Sequence, residues 1–519
     1  MVEGHPSADG TLQLRSVLIA ATLLVGCTRG PPEGAPAAPA GGSPAATRLA
    51  VFVAADVRGQ IAPCGCSEAM RGGLAKAAAI VEKTRGSGIP SLFVDAGDAL
   101  FERTGFGADE AVGERRRAQA IADSYRAMRV GAQFAGPLDD ALGADFRQSL
   151  KLPGMRHGDT RLLEAGRWKV GIVSGTSAAE LSQGAAKVRG GGARLVLGLF
   201  AGKPADAEGA TGVDLVVAAQ APETVGTEWE DGRLLRGPVP VAQVQSRGRS
   251  LLRVDLSPGP DAAPVQLARG QGDVERERNA QGQRIELLRR ELGTPGLAPE
   301  RKRLLDGRLH ELVQRSEQLT AQAQETALQP GTFTVRFVPV EAALPEEPAV
   351  EKIIADYDRD VAQLNLAWAK EHGEPCPPPA RGQAAYVGNE ACRSCHPAPF
   401  AVYEKTGHAR AYATLESVQK QYRLDCVACH VIGFQQPGGV CRVDQVDGRK
   451  DVGCESCHGP GSLHVADGTG KSVVRPRPGP SVCVGCHTPE NSIHFDYARY
   501  LPRVVGPGHG APASTSTRR

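Results

Sequence analysis

Four times between residues 392 and 487 the chain repeats one arrangement, two cysteines three positions apart with a histidine directly after the second. The copies are Cys392-Arg-Ser-Cys395-His396, Cys426-Val-Ala-Cys429-His430, Cys454-Glu-Ser-Cys457-His458 and Cys483-Val-Gly-Cys486-His487. Two thiols at this separation can form thioethers to the two vinyl groups of one porphyrin. The next residue then sets its imidazole under the iron as proximal ligand. One copy says little; four in succession predict four covalently attached c-type haems. Zinc is the competing reading, because four C-x-x-C pairs could build two sites of four thiolates. That reading leaves the four following histidines without a role, and so does a disulfide scaffold.

The remaining histidines extend the argument. Of twelve in the chain, four sit in the motifs and four more fall in the same segment: His408, His464, His494 and His509. The first, second and last of these are expected as sixth ligands. His494 is the fourth candidate, although its neighbours Phe495 and Tyr497 also suit packing against a porphyrin edge. His5, His157, His310 and His372 lie elsewhere and read as surface residues.

The other cysteines have separate readings. Leu24-Val25-Gly26-Cys27 closes an apolar run beginning at Val17 that is too short to span a bilayer. It reads as a signal segment ending in a lipobox, with Cys27 the lipidated residue; an unmodified Cys beside an ordinary cleavage site is the alternative. Thr28, in place of an Asp, fits sorting to the outer membrane. Cys64 and Cys66, in Pro63-Cys-Gly-Cys-Ser67, form a redox or metal pair or a local structural disulfide. Cys376 and Cys441 belong to no motif and are free to pair, but connectivity is not readable from sequence.

Length and composition set the frame. At 519 residues the chain exceeds one ordinary core, so several domains are expected. With 60 Lys+Arg against 58 Asp+Glu there is no basic footprint for nucleic acid. Aromatic residues are only 4%, and porphyrins would supply flat apolar surface in their place. Residues 1–27 read as the signal and 28–47 as a Pro/Ala/Gly tether.

The elements that must position these residues follow from periodicity. Residues 48–270 alternate strand-like runs (Leu49–Ala54, Ser91–Val94, Lys169–Val173, Arg194–Leu199, Asp214–Ala218) with helical patterning over Leu74–Lys83 and Asp109–Met128. Residues 271–380 read as a helical hairpin broken at Gly293-Thr-Pro-Gly296. A connecting helix over Val350–Lys370 and Pro377-Pro-Pro379 follow. Residues 381–519 carry the haem motifs.

Two resemblances join these readings. Tyr386-Val-Gly-Asn-Glu-Ala-Cys392, Thr406-Gly-His408-Ala-Arg-Ala-Tyr412, Cys454-Glu-Ser-Cys-His-Gly-Pro-Gly-Ser-Leu-His464 and Gly506-Pro-Gly-His509 resemble the tetrahaem cytochrome c family typified by the electron acceptor of hydroxylamine oxidoreductase. The resemblance implies stacked, closely spaced haems with histidine as sixth ligand for most of them. Asp56-Val-Arg-Gly59, Gly72-Gly-Leu-Ala75 and Asp95-Ala-Gly-Asp98 resemble the metallophosphoesterase domain of 5′-nucleotidases, which implies two metals activating a water. This sequence departs from that pattern. Arg58 stands where a ligand histidine belongs, Gly136-Pro-Leu-Asp139 replaces G-N-H-E, and Ala219-Gln-Ala-Pro222 replaces G-H-x-H. Only Asp56 and Asp98 remain as ligands, too few for a dinuclear site, so the fold is expected without the hydrolase.

The expected architecture is multidomain: a layered α/β metallophosphoesterase-like domain, a helical hairpin, and a mainly helical or irregular multihaem cytochrome c domain. The expected function is electron transfer by a lipoprotein of the bacterial cell envelope, facing the periplasm or the cell surface. Its expected partners are other redox proteins, chiefly cytochromes. The alternatives are an oxidoreductase working on a small nitrogen or sulfur compound at an open-coordinate haem, or a thiol-redox or sensor protein using Cys64 and Cys66.

Overall fold

The computed structural model describes residues 48–63, 70–218, 232–235, 237–257, 259, 265–268, 271–292, 297–325, 330–468, 474–475, 477–488, 491–492 and 495–509. Cys27, Cys64, Cys66, His494 and the 219–222 segment lie outside the described residues.

Strand β1 (Leu49–Ala54) is buried along its whole length, and its alternate residues serve two cores. Leu49, Val51 and Val53 face one apolar layer, while Ala50, Phe52 and Ala54 face another. That division requires a sheet covered on both sides. β1 lies centrally among seven strands, with β2 (Ser91–Asp95), β3 (Val130–Phe134), β4 (Gly154–Met155), β11 (Ser250–Leu256), β12 (Gln266–Leu267) and β13 (Thr332–Pro339). Their order across the sheet is β12-β13-β11-β1-β2-β3-β4. β1 to β4 run parallel, and β11 pairs antiparallel with both β1 and β13. A second sheet comprises β5 (Thr160–Ala165), β6 (Trp168–Gly175), β7 (Leu195–Phe200), β8 (Leu215–Ala218), β9 (Gly232–Leu235) and β10 (Val241–Val244). Its six strands have the order β5-β6-β7-β8-β10-β9.

The two sheets share one core, in which Val51 and Val94 meet Ile172 and Leu197. Helices α1 (Leu74–Gly86) and α2 (Ala108–Ala127) cover the outer face of the first sheet. A short helix α3 (Ala144–Ser149) follows, and α4 (Ala178–Gly190) covers the second sheet through Leu181, Ala185 and Val188. The layering is therefore helix, sheet, sheet, helix.

The hairpin α5 (Gln271–Leu292) and α6 (Pro299–Glu325) falls where the sequence indicated. Its position in the topology is different from the one expected. β13 lies beyond it and returns to the first sheet beside β11, so the hairpin is inserted between two strands of one sheet. The strand signal of Thr332–Pro339 was hidden by its distance from the other strands. Helix α7 (Pro348–His372) then packs Val350, Tyr357 and Val361 onto α1 and α2.

Among the described residues, the last segment holds short helices: α8 (Glu390–Arg393), α9 (Pro397–Tyr403), α10 (Ala411–Ser417), α11 (Leu424–His430), α12 (Cys454–His458), α13 (Ser462–Asp467), α14 (Pro480–Cys483) and α15 (Tyr497–Tyr500). Its apolar cluster is small and built around Tyr412, Val427, Val431 and Val440. A disulfide joins Cys376 to Cys441, with Cα atoms 5.2 Å apart, and so ties the chain after α7 to this segment.

Candidate functional site

Each cysteine pair of the four motifs spans a single helical turn or lies at the end of one, which brings residues i and i+3 to the same side. The motifs are also brought together in pairs. The Cys392 thiol lies beside that of Cys454, and this contact, followed by burial, pushes its pKa up. Cys429 stands in the same relation to Cys486. The first motif thus lies against the third and the second against the fourth. Val452 N–H donates to the His408 carbonyl at 3.2 Å, tying the first spare histidine to the stretch of chain leading into the third motif.

The histidine rings can be tested against a haem iron. An imidazole nitrogen sits about 2 Å from a first-row metal and roughly 1 Å from its ring centre, so two imidazoles on opposite faces of one iron have centres roughly 6 Å apart. His396 and His464 have ring centres 6.1 Å apart, and His408 and His487 are 6.2 Å apart. Both pairs combine a motif histidine with one of the expected sixth ligands.

Two other motif histidines have the tautomer that a ligand needs. His430 Nδ1 lies 2.5 Å from the Ala411 carbonyl oxygen, and His458 Nδ1 lies 2.7 Å from that of Arg475. A carbonyl only accepts, so Nδ1 carries the proton in both rings and the lone pair belongs to Nε2, the arrangement of a ligating histidine. His487 Nδ1 is 3.1 Å from Ser492 Oγ, where either atom can donate. Burial lowers the pKa of His487; burial and then the neighbouring His487 lower that of His408. Both shifts favour the neutral ring that a metal requires. His509 is held at Nδ1 by Gly506, in the closing Gly-Pro-Gly-His run.

Several supporting residues carry no signal in a ligand count. Glu455, inside the third motif, is 3% exposed and accepts from the backbone N–H groups of Val387, Gly388 and Gly461 at 2.7–3.0 Å. Asn389 Oδ1 accepts from Cys454 N–H at 2.8 Å, and its amide donates to Tyr403 Oη at 3.0 Å. A Cβ at Gly453 would fall 2.1 Å from that Asn389 oxygen, so only glycine admits the contact. Phe495 stacks on His487 with ring centres 4.5 Å apart. The one available signal was the Tyr386–Glu390 run, in which Glu455 holds the Val387 and Gly388 backbone and the Asn389 side chain reaches Cys454 and Tyr403.

At the ends of β1, β2 and β3 lie the carboxylates of the metallophosphoesterase resemblance. Asp56, Arg58 and Asp98 all have positive φ, from 49° to 55°, and their charges act on one another. Arg58 Nε donates to Asp56 Oδ1 at 2.5 Å. Asp98 Oδ1 accepts from Leu138 N–H at 2.8 Å. Asp139 uses both oxygens, taking N–H groups of Asp98, Leu100 and Gly136 and the Gln133 amide. Asp95 is closed by Gly97 N–H and Tyr125 Oη. Burial raises Asp56 to about 6 and Asp139 to about 7. These residues do not fit a dinuclear metal centre: Arg58 sits on one Asp56 oxygen and N–H donors take both Asp139 oxygens and one of Asp98, so that Asp56 Oδ2, buried without a hydrogen-bond partner, and what remains of Asp98 are too little to hold two cations.

Comparison with known proteins separates the two regions. Residues 391–459 match the family of cytochrome c554 and c-prime. The C-terminal segment is similar to cytochromes of the c554 type. Cytochrome c-554 of Nitrosomonas europaea is 38% identical over 93 residues, covering 15% of this chain and 40% of that protein. The match supports covalently bound haem c in this segment. Solved structures similar to the chain include the sulfate thiohydrolase SoxB of Thermus thermophilus (14% identity, TM-score 0.38, 67% of this chain and 68% of that one). A 5′-nucleotidase precursor, also from Thermus thermophilus, is 12% identical with TM-score 0.40, covering 78% and 72%. The calcineurin-like phosphoesterase YfkN of Bacillus subtilis is 11% identical with TM-score 0.37, covering 60% and 97%. TM-scores this low say nothing about chemistry, and the α/β layering rests on the strand pairings above.

Proposed function

We propose that the chain is an exported, lipid-anchored cytochrome holding four covalent haems and passing electrons between partner proteins, chiefly other cytochromes. The observation that carries this is the spacing of His396 from His464 and of His408 from His487, at 6.1 and 6.2 Å. In this reading Cys392/Cys395, Cys426/Cys429, Cys454/Cys457 and Cys483/Cys486 hold the porphyrins, with His396, His430, His458 and His487 as proximal ligands. His464 and His408 complete two irons, and His509 completes a third. His494 remains the candidate for the fourth. A haem so bound supplies reversible one-electron chemistry. The contacts of Cys392 with Cys454 and of Cys429 with Cys486 favour two close haem pairs.

Export is supported by the Cys376–Cys441 disulfide, which suits an oxidising compartment. No helix among the described residues is long and apolar enough to cross a membrane. Cys27 is the proposed anchor, holding the protein at the envelope, on the outer membrane toward the periplasm or the cell surface. Cys27→Ser should release the protein from the membrane fraction; unchanged association would remove the anchor from the account. Spectroelectrochemical titration of the purified protein tests the carrier function. Reversible one-electron steps with c-type absorbance are expected, and their absence would overturn the reading.

A further inference from the structure

Between the α/β layers and the cytochrome segment lies a charged network that no ligand motif requires. Arg117, on α2, reaches in three directions. Its Nη1 is 3.0 Å from Glu114 Oε1 one turn earlier, its Nε donates to Tyr357 Oη on α7 at 3.2 Å, and its Nη2 donates to Asp425 Oδ2 at 3.1 Å. Asp425 is the residue immediately before Cys426. The same carboxylate accepts from Arg423, Nη2 to Oδ2 at 2.7 Å and Nε to Oδ1 at 3.2 Å. Arg423 in turn reaches Asp358 Oδ1 on α7 at 3.2 Å and lies over the Tyr357 ring. Three separate elements, α2, α7 and α11, are therefore joined through two arginines that share one aspartate.

Exposure decides which charges matter beyond the contact. The Arg117 and Arg423 side chains are 12% and 10% exposed, whereas Asp425 is 44% exposed. Glu114 and Asp358 are nearly as buried as the arginines, at 12% and 18%, so two buried cations balance two buried anions, and removing one cation leaves a poorly screened negative excess. Reduction adds an electron to an iron, and a poorly screened cation nearby favours the reduced form.

We propose that Arg117, supplied by the α/β layers, is a positioning residue for the second attachment motif: with Arg423 it fixes Asp425 and the turn carrying Cys426, and its charge favours an electron on the haem held there. This rests on the reading that Cys426, Cys429 and His430 hold a haem. The α/β region then has a task in the electron-transfer protein that does not depend on hydrolysis.

The test is potentiometric titration of the full-length holoprotein with each haem resolved spectroscopically. The double variant Cys426→Ala/Cys429→Ala identifies the second motif's midpoint by its disappearance. If that variant keeps every haem, the reading of the motif fails and the inference falls with it. Arg117→Met should lower the identified midpoint by a tenfold change in reduction equilibrium, about 59 mV for one electron, with the other midpoints nearly still. Arg117→Lys, which keeps the charge, should stay near the wild type, and Asp425→Asn should raise the same midpoint. If Arg117→Met does not accumulate as holoprotein, Asp425→Asn and Arg117→Lys decide. An unmoved midpoint in Arg117→Met (or in Asp425→Asn where that variant does not accumulate), or a shift shared equally by all haems, overturns the proposal while leaving the haem reading intact.

Discussion

Two regions of this molecule gather metal-ligating side chains, and they dispose of the donor atoms in opposite ways. In the α/β pocket the protein consumes them. Asp139 turns both oxygens to N–H donors, Asp98 takes Leu138 N–H, and Asp56 is bridged by Arg58. In the cytochrome segment the protein orients them. Carbonyls at 2.5 and 2.7 Å hold Nδ1 of His430 and His458, which leaves the lone pair of each ring at Nε2. Residue type alone does not make a metal site; what matters is which donor atoms the protein leaves for the metal. A buried carboxylate next to a fixed arginine already has its cation.

The largest effects should come from breaking the histidine pairs. His464→Ala and His408→Ala should each convert one low-spin iron to high-spin, visible by electron paramagnetic resonance of the oxidised protein. An unchanged spectrum in both would show that the ring spacings do not reflect axial pairs. His509→Ala should act in the same way on a third iron, whereas His494→Ala is the substitution that decides the fourth.

A smaller effect is expected in the pocket, where it can be read as stability. Burial raises Asp56 to about 6 from an ordinary 3.8, against the opposing charge of Arg58. The folded state therefore binds this proton more tightly than the unfolded chain. The resulting stabilisation is full below about pH 4 and is lost as pH rises through about 6, on the order of 2–3 kcal/mol. Denaturant midpoints measured across that window should fall with pH, and Asp56→Asn should flatten the slope. A slope equal in the two proteins would mean that Asp56 stays ionised.

The smallest expected effect is none. The purified full-length protein should hydrolyse no nucleotide above background, with or without added Mn²⁺, and Asp98→Asn should leave that rate unchanged. Metal-dependent turnover abolished by Asp98→Asn would show that the pocket still assembles a hydrolytic centre, and the contrast between the two regions would collapse.

How much could be read beforehand divides along the same line. The C-x-x-C-H motifs are local: both thiols and the proximal ring lie within five residues, so spacing alone carries the chemistry. β1, β2 and β6 to β8 were also legible, since buried parallel strands are apolar runs. β13 was not, because a hairpin of two helices separates it from β11 and only pairing at long range marks it as part of the sheet. The pairing of His396 with His464 required the third motif to fold back on the first, and spacing contains no trace of that. Arg58 was visible as a departure at a ligand position, but its bond to Asp56 was not. Glu455 and Arg117 were invisible, since a charge on a helix is usually solvated and only the fold removes these two from water.

The central claim, four haems held by eight thioether bonds in one chain, is tested most directly by the intact mass of the denatured protein purified from a host that attaches haem c. The account predicts the mature polypeptide plus four haem groups, surviving acid-acetone extraction because the attachments are covalent. A polypeptide mass without haem, accompanied by stoichiometric zinc in the native protein, would contradict it.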